Sequence, residues 1–144
     1  MATTNTYLTF DGTCEEAFNF YKSIFGGEFG HLSRFSQMPQ NLIFQVEESQ
    51  RNHILYISLP IGNSCLMGCD VSAGSGSLIL GNNFSVSVSA DSRNEADRVF
   101  NGFAQFGQIS TPLTDKFWGA YFGMVVDQFG INWMISFEKE MDKR

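Results

Sequence analysis

Two short segments of the chain repeat apolar residues at helical spacing and share one pattern. In the first segment, apolar residues at i, i+3, i+4 and i+7 come after Thr13 and Glu16 in the chain. The same pattern comes after Ser92 and Glu95, 79 positions later. Each stripe predicts an amphipathic helix, and each Ser/Thr-x-x-Glu sequence predicts a capping box at the helix start. The constant offset indicates an internal duplication. The two stripes are Ala17, Phe20, Tyr21, Ile24 and Ala96, Val99, Phe100, Phe103.

Strand-like segments flank both predicted helices in the same order. One precedes each helix, at 5–10 and at 84–89, and the second of these alternates apolar residues with serines, a period of two that is typical of a strand. Residues 127–130 predict a tight turn, with Gly130 available for a positive φ. The segments that follow the helices are 28–35, 53–59, 64–70, 109–113, 121–126 and 131–137. Each half of the chain is therefore predicted to be β-α-β-β-β.

The pattern predicts one α+β domain built from two such modules. Gly and Ser residues between the modules are typical of a linker. The polar segment 36–52 is a long loop of the kind that acts as a lid or contacts a partner. The expected bounds are 1–71 for module one, 72–83 for the linker, 84–138 for module two and 139–144 for a tail, all within one domain over 1–144.

Composition narrows the class of protein. With 144 residues, 43% of them hydrophobic, the chain can bury one core, which excludes a disordered protein. No apolar run is long enough to span a membrane, and no signal peptide is expected in the first ten residues. The formal net charge of −6 disfavours nucleic acid or an anionic membrane as a partner.

The three cysteines are too few for a disulfide scaffold, so we expect a reducing, cytoplasmic location. Cys65 and Cys69 lie four apart in a predicted strand, about 13 Å, which is too far for a disulfide. Cys14 falls in the first turn of a predicted helix, where the helix dipole can lower a thiol pKa. A partly buried, inert thiol is the favoured interpretation of Cys14, and a reactive thiol is the alternative.

The order and spacing of several short motifs along the chain resemble one known family. The motifs are Tyr7-Leu8-Thr9-Phe10-Asp11-Gly12, Glu16-Ala17, Phe20-Tyr21, Phe25-Gly26-Gly27, Met38-Pro39, Phe117-Trp118, Phe122-Gly123, Asp127, Phe129-Gly130 and Trp133-Met134. Together they resemble the PhnB-like branch of the vicinal oxygen chelate (glyoxalase/bleomycin-resistance) superfamily, a branch that carries a demethylubiquinone methyltransferase label. No Gly-rich nucleotide loop follows a strand, so the residues give the methyltransferase activity no support.

The resemblance implies curved, largely antiparallel sheets around a cavity, the glyoxalase/bleomycin-resistance/dihydroxybiphenyl dioxygenase fold. It also implies that metal-using members place four His, Glu or Gln ligands in that cavity. Alignment on the motifs puts those positions at Thr6, Met67, Ser85 and Met134. Hydroxyl and thioether groups are poor ligands for a hard divalent ion. We therefore expect no metal and no cofactor.

Strand alternation then sorts the side chains that would face the cavity. Thr6, Leu8 and Phe10 are expected on the cavity side, with Tyr7 and Thr9 on the other side. The lining would be apolar with hydroxyls and an amide but no charge, which suits a mostly neutral small molecule. The candidate ligand-binding residues are Thr6, Leu8, Met67, Ser85, Ser87, Trp118, Tyr121, Asn132 and Met134.

Simpler interpretations compete at several of these positions. The serines at 85–89 can form a solvated face, and Met67 and Met134 can be core filler. Trp118 can belong to the core or to a dimer contact. On the last strand we expect Asn132, Met134 and Ser136 on the cavity side, and Trp133, Ile135 and Phe137 on the other.

The sequence thus predicts a metal-free protein that binds an unknown small molecule. We expect a homodimer, which some superfamily members form by exchanging modules. The alternative is a metal-dependent enzyme, a glyoxalase- or dioxygenase-like lyase, isomerase or oxidoreductase that takes ligands from other positions. Whether the protein is an enzyme stays open at this point. A third interpretation places the loop 36–52 at a partner surface.

Overall fold

The computed structural model describes residues 1–39, 46–72 and 77–138, and within them each half of the chain folds as β-α-β-β-β. The first half has β1 (Thr6–Phe10), α1 (Cys14–Phe25), β2 (His31–Arg34), β3 (Ile54–Ile61) and β4 (Ser64–Asp70). The second half has β5 (Val86–Ser89), α2 (Arg93–Ala104), β6 (Gln108–Asp115), β7 (Tyr121–Val126) and β8 (Asn132–Phe137). The predicted element order is confirmed, and both helices keep the offset of 79 positions.

The strands form two four-stranded sheets with the same order. One sheet runs β1-β4-β3-β2 and the other β5-β8-β7-β6. In each sheet the first pair, β1 with β4 or β5 with β8, is parallel and the other pairs are antiparallel. The prediction of two α+β modules with largely antiparallel sheets is confirmed. The chain divides into two compact units, Met1–Ile79 and Leu80–Arg144, and each is described by itself below.

In the first unit, α1 packs on one face of its sheet through Phe18. The Phe18 ring meets Phe10 edge-on, with ring centroids 6.2 Å apart. Gly68 lies under the same ring, and a Cβ built there would approach it to 2.7 Å. Leu8 pairs with Gly68 in the parallel register and is 2% exposed. The expectation that Leu8 and Phe10 face away from the helix is therefore wrong, because both belong to the core beneath α1.

The N-terminus of α1 is capped in a way that the sequence pattern did not predict. Thr13 occupies the N-cap position, but its side chain makes no capping hydrogen bond. Asp70, at the end of β4, instead accepts hydrogen bonds through Oδ1 from the backbone N–H of Cys14 (3.0 Å) and of Gly12 (2.9 Å). Its Oδ2 accepts from the backbone N–H of Ile54 (2.9 Å). A distant carboxylate thus replaces the predicted capping box.

In the second unit, α2 packs on the sheet face that carries Trp133 and Ile135. The Trp133 ring stacks on Phe103 with centroids 4.4 Å apart, and Ile135 is fully buried. Here the predicted capping box is confirmed, because Ser92 Oγ accepts from the Glu95 backbone N–H at 3.0 Å and Glu95 Oε1 accepts from the Asp91 N–H at 2.8 Å. The predicted turn at 127–130 is also present.

The two units differ by one residue between the first strand and the helix. Phe10 faces α1 and lies four positions before the helix starts at Cys14. Val88 pairs with the buried Ile135 on the helix side and lies five positions before Arg93. A one-residue change of register moves every side chain of a strand to the opposite face. The offset of 79 therefore aligns the helices but inverts the faces of β1 and β5.

Three predicted features fall wholly or partly on residues 40–45, 73–76 and 139–144, which lie outside the described residues. They are the loop 36–52, the linker 72–83 and the tail 139–144. The described ends of the loop carry two short 3-10 turns, Phe35–Gln37 and Glu48–Gln50. Across 1–39, 46–72 and 77–138, no helix is both long and apolar enough to cross a membrane.

Candidate functional site

A concavity of about 560 Å³ lies in the second unit, on the face of its sheet opposite α2. Ser87 on β5 and Met134 on β8 are direct partners in the parallel register, so both side chains reach the same face. Phe122 on β7 pairs with Ser136 and extends this face. The residues that line the concavity are Ser87, Ser89, Ala90, Asp91, Trp118, Phe122, Met134, Ser136, Phe137 and Glu138.

Trp118 forms an aromatic wall of this concavity. It sits in the turn between β6 and β7, which is closed by the Lys116 N–H donating to Ala120 O (2.8 Å) and the Gly119 N–H donating to Lys116 O (3.0 Å). The Trp118 ring meets Phe122 edge-on at 5.9 Å and remains 55% exposed. The interpretation of Trp118 as a core residue is therefore wrong, and its indole is available to a ligand.

A cluster on the other face ties this turn to α2. The Arg93 guanidinium donates to both carboxylate oxygens of Asp115, at 2.7 and 3.2 Å, and stacks on the Tyr121 ring at 3.9 Å. The Tyr121 hydroxyl donates to Asp97, and this hydrogen bond raises the pKa of Tyr121. Tyr121 therefore points to the helix and does not line the concavity, so its selection as a candidate ligand-binding residue is wrong. Asp115 and Tyr121 hold the two ends of the hairpin that presents Trp118.

The structure brings together three of the predicted candidates, Ser87, Trp118 and Met134. In the same unit, Ser85 is half-buried just before β5, and Asn132 donates from Nδ2 to Gly81 O at 3.0 Å. Neither of these two lines the concavity. The remaining candidates, Thr6, Leu8 and Met67, belong to the first unit. Of these, Leu8 lies beneath α1, as described above.

The lining of the concavity carries charge, whereas the sequence pattern predicted an uncharged one. Asp91 is exposed and Glu138 is half-buried, and both line it. Phe137 also borders the concavity, but it is the register partner of Tyr121, so its side chain belongs to the helix side of the sheet, as alternation predicted. Asp91 and Glu138 lie just beyond strand ends, where alternation no longer specifies direction. The signal that could have found Asp91 and Glu138 is their position two residues after β5 and one residue after β8.

The first sheet presents a different set of side chains on its face opposite α1. Tyr7 stacks on Tyr56 with ring centroids 6.2 Å apart, and His31 meets Tyr56 at 5.3 Å. Met67 is the register partner of Tyr7 and is half-buried on this face. Partial burial and a hydrogen bond with the thiol of Cys69 raise the pKa of Tyr7. This face is aromatic and sulfur-rich, whereas the concavity of the second unit adds hydroxyls and carboxylates to its aromatic wall.

The side chains at the implied ligand positions do not fit a hard divalent metal ion. Thr6 and Ser85 offer neutral hydroxyls, and Met67 and Met134 offer thioethers, which such ions bind poorly. His53 lies with its ring against Gly12 and is distant in sequence from all four positions. Within 1–39, 46–72 and 77–138, no three His, Cys, Asp or Glu side chains are grouped as a metal site requires.

Cys14 is a buried thiol. It is 0% exposed, and burial together with the nearby carboxylate of Asp70 raises its pKa. The helix dipole does not overcome these effects, so the interpretation of Cys14 as a reactive thiol is wrong. Cys65 and Cys69 are free and half-exposed.

Comparison with known proteins places the chain in a family. The model of the family described as 3-demethylubiquinone-9 3-methyltransferase matches residues 2–136. The crystal structure of PA1353 from Pseudomonas aeruginosa is 32% identical, with a TM-score of 0.83 over 96% of this chain and 98% of that one. The PhnB protein of Bacillus cereus is 25% identical, with a TM-score of 0.76 over 94% and 99%. Protein YjdN of Escherichia coli (strain K12) is 27% identical over 140 residues, 93% of this chain and 94% of YjdN.

More distant structures share the fold alone. FosX, a fosfomycin resistance protein from Listeria monocytogenes, is 11% identical, with a TM-score of 0.62 over 95% of this chain and 91% of FosX. A glyoxalase/bleomycin resistance protein/dioxygenase family enzyme from Burkholderia phytofirmans is 14% identical, with a TM-score of 0.54 over 93% and 98%. Since the family model covers nearly the whole chain, this protein belongs to the PhnB-like 3-demethylubiquinone-9 3-methyltransferase family and has the glyoxalase/bleomycin-resistance fold.

Proposed function

We propose that the protein binds a small organic molecule, without a metal ion, in the concavity of its second unit. The observation that carries this proposal is the convergence of Ser87, Trp118 and Met134 on one concave surface of about 560 Å³. Small-molecule sites have volumes of roughly 300–1,000 Å³ and combine apolar and aromatic walls with a few polar groups. Here Trp118 and Phe122 supply the wall, and the serine hydroxyls supply hydrogen-bond donors and acceptors.

Magnetic resonance on the full-length, ¹⁵N-labelled protein tests this proposal directly. The chain contains two tryptophans, and Trp133 is buried with its indole N–H donated to Asp127 at 2.9 Å. Its signal is an internal control for the exposed indole of Trp118. We expect indole, benzamide or benzylamine to shift the Trp118 indole signal and the amides of Ser87 and Ser136. Shifts confined to other regions would contradict the proposal.

A pair of matched variants separates binding in the concavity from binding elsewhere. Ser87→Phe places a ring inside the concavity, because Ser87 lines it. Ser110→Phe makes the same change at an exposed position of β6 in the same sheet, outside the lining. We expect Ser87→Phe to weaken binding of the fragments by about tenfold or more, equivalent to about 1.4 kcal/mol, and Ser110→Phe to leave it unchanged. Equal binding by both variants would place the site elsewhere.

The metal-free part of the proposal rests on the side chains at the implied ligand positions, which are hydroxyls and thioethers. We expect purified protein to carry far less than one equivalent of Zn, Ni, Fe or Mn, and we expect EDTA to leave fragment binding unchanged. A tightly held, stoichiometric metal ion would contradict this. It would favour the alternative function, a metal-dependent enzyme of the glyoxalase or dioxygenase type.

We also propose that the protein is a cytoplasmic homodimer. The three cysteines are free, which is compatible with a reducing compartment. Several large apolar side chains are exposed and available for a contact between subunits, among them Phe84 (60%), Phe106 (60%) and Phe117 (97%). Light scattering should give twice the 16.1 kDa mass of one chain. Cell fractionation should recover the protein with the cytoplasm, and recovery elsewhere would contradict that location.

A further inference from the structure

The concavity of the second unit combines two carboxylates with aromatic rings. Asp91 enters its lining after the end of β5, and Glu138 does so after the end of β8. The wall is formed by Trp118 with Phe122, whose ring centroids are 5.9 Å apart. Within the part of the chain that the structure describes, no Lys or Arg lines this surface.

Among residues 1–39, 46–72 and 77–138, the basic side chains nearest in sequence to the lining residues are directed to other partners. Arg93, two residues after Asp91, donates to both carboxylate oxygens of Asp115. Lys116, two residues before Trp118, donates from Nζ to Thr114 Oγ1 at 2.7 Å. The negative charge at the rim of the concavity is therefore not neutralised by either of these groups. The net charge of the whole chain, −6, has the same sign.

This combination of groups favours a cation over a neutral or anionic ligand. The face of an aromatic ring attracts a cation, and Trp does so most strongly. Carboxylates at the rim add a charge–charge attraction that an uncharged ligand does not gain. Serine hydroxyls can accept hydrogen bonds from an ammonium group. An anion would instead be repelled by Asp91 and Glu138.

We propose that the ligand of this concavity is an organic cation, an ammonium group on an apolar or aromatic body, with Trp118 and Phe122 contacting the body and Asp91 and Glu138 facing the charge. This inference rests on the proposed function, because it names the class of molecule that the same site binds. It replaces the mostly neutral ligand that the sequence alone predicted. A volume of about 560 Å³ accommodates a bicyclic aromatic amine.

Three probes of nearly the same shape test the proposal: naphthylmethylammonium, naphthylmethanol and naphthoate. Each is titrated into the full-length, ¹⁵N-labelled protein while the indole signals of Trp118 and Trp133 are followed. We expect the ammonium to shift Trp118 and to bind about tenfold more tightly than the alcohol, with naphthoate weakest. Raising the salt concentration to about 0.15 M should reduce the preference for the ammonium, because charges at the surface are screened.

Matched variants assign the preference to the two carboxylates. In the double variant Asp91→Asn with Glu138→Gln, the affinities for the ammonium and the alcohol should converge. Asp11→Asn removes one exposed carboxylate from the first unit and should leave the preference at its full value. Thermal unfolding of each variant checks that the fold is retained, since Asp91 lies next to the N-cap of α2.

The outcomes distinguish this inference from the proposed function. If the alcohol binds as tightly as the ammonium and both shift Trp118, the concavity is a binding site but the cation preference is refuted. If calcium chloride alone shifts Trp118 and displaces the ammonium, the site takes an inorganic ion and the inference is refuted. If none of the three probes shifts Trp118, the inference is refuted as well, and the neutral fragments and the Ser87→Phe variant decide the proposed function separately.

Discussion

The carboxylate of Asp70 accepts a hydrogen bond of 3.0 Å from the backbone N–H of Cys14, 56 residues earlier in the chain. The same carboxylate accepts from Gly12 and Ile54 and is 2% exposed. One side chain therefore joins the loop before α1, the first turn of α1 and the start of β3. Because the acceptor is an anion close to the helix N-terminus, the helix dipole adds to these hydrogen bonds.

Replacing this carboxylate should destabilise the protein. Asp70→Asn keeps one acceptor oxygen but turns the other into an NH₂ group, so one of the three backbone donors loses its partner. We expect the free energy of unfolding to fall by about 1–3 kcal/mol, measured by urea denaturation. Asp11→Asn, at an exposed carboxylate, should change it by less than about 0.5 kcal/mol. Equal effects of the two variants would contradict the role of Asp70.

The two predicted capping boxes should respond differently to the same kind of substitution. Ser92→Ala removes the oxygen that accepts from Glu95 and should cost about 1 kcal/mol of stability. Thr13→Ala removes a hydroxyl that makes no capping hydrogen bond and should cost much less. Denaturant midpoints of the two variants measured side by side test this difference. A larger loss for Thr13→Ala would show that the hydroxyl has a role that the structure does not contain.

Gly68 should tolerate no side chain. A Cβ at this position would lie 2.7 Å from the Phe18 ring and 2.9 Å from the backbone oxygen of Leu8. Gly68→Ala should therefore destabilise the first unit by about 1–3 kcal/mol, because the ring and the strand must both move. Gly62→Ala cannot serve as a control for this clash. Gly62 has a φ of +59°, so an alanine there would strain the backbone and destabilise the protein for a different reason. Phe18→Leu combined with Gly68→Ala should recover part of the loss, and no recovery would contradict the clash.

The ion pair between Glu15 and Arg34 should make stability depend on pH at acidic values. Two hydrogen bonds, at 2.9 and 2.7 Å, lower the pKa of Glu15 below its ordinary value of 4.5. A lowered folded-state pKa stabilises the protein above the ordinary value, and this contribution is lost as pH falls through the folded value. The pair is partly exposed, so its contribution should be below about 1 kcal/mol.

Arg34→Gln tests this dependence. The variant should be less stable than the wild type at neutral pH, and the difference should shrink as the pH falls below about 4.5. Arg34 also donates to Asn52 O at 2.8 Å, so Glu15→Gln is measured in parallel as the complementary change. A difference that is constant from pH 7 to acid would assign the loss to the hydrogen bond with Asn52 instead.

The three thiols should differ in reactivity in the folded protein. Cys14 is fully buried, and burial raises its pKa, so it should react with DTNB only after unfolding. Cys65 and Cys69 are half-exposed and should be labelled first. Mass spectrometry of peptides after brief labelling measures the order. Early modification of Cys14 would show that the first turn of α1 opens in the native state.

Much of the fold follows from local pattern, and the errors have physical causes. The strands Ser64–Asp70 and Tyr121–Val126 have the predicted bounds, and the serine and valine alternation correctly predicts the faces of β5. In β1 both faces carry aromatic or β-branched residues, so no polar stripe marks the outside. The contact from Asp70 to Cys14 spans 56 residues and has no local signal.

The candidate site was predictable only in part, for a related reason. Ser87 and Met134 lie inside strands, where alternation specifies their direction, and Trp118 belongs to a motif of the family. Asp91 and Glu138 lie beyond strand ends, so their direction depends on the path of the chain after the sheet. The charge of the concavity therefore emerged only from the folded arrangement.

The extra residue between β5 and α2 has a consequence for how such repeated proteins diversify. One added residue between a strand and the helix that follows it leaves the packing of the helix unchanged. It moves every side chain of the preceding strand to the opposite face of the sheet. Ser87 now lies where Tyr7 lies in the other copy, each beside a methionine, Met134 or Met67. A single codon inserted at this point can thus give one copy of a duplicated gene a new surface chemistry in one evolutionary step.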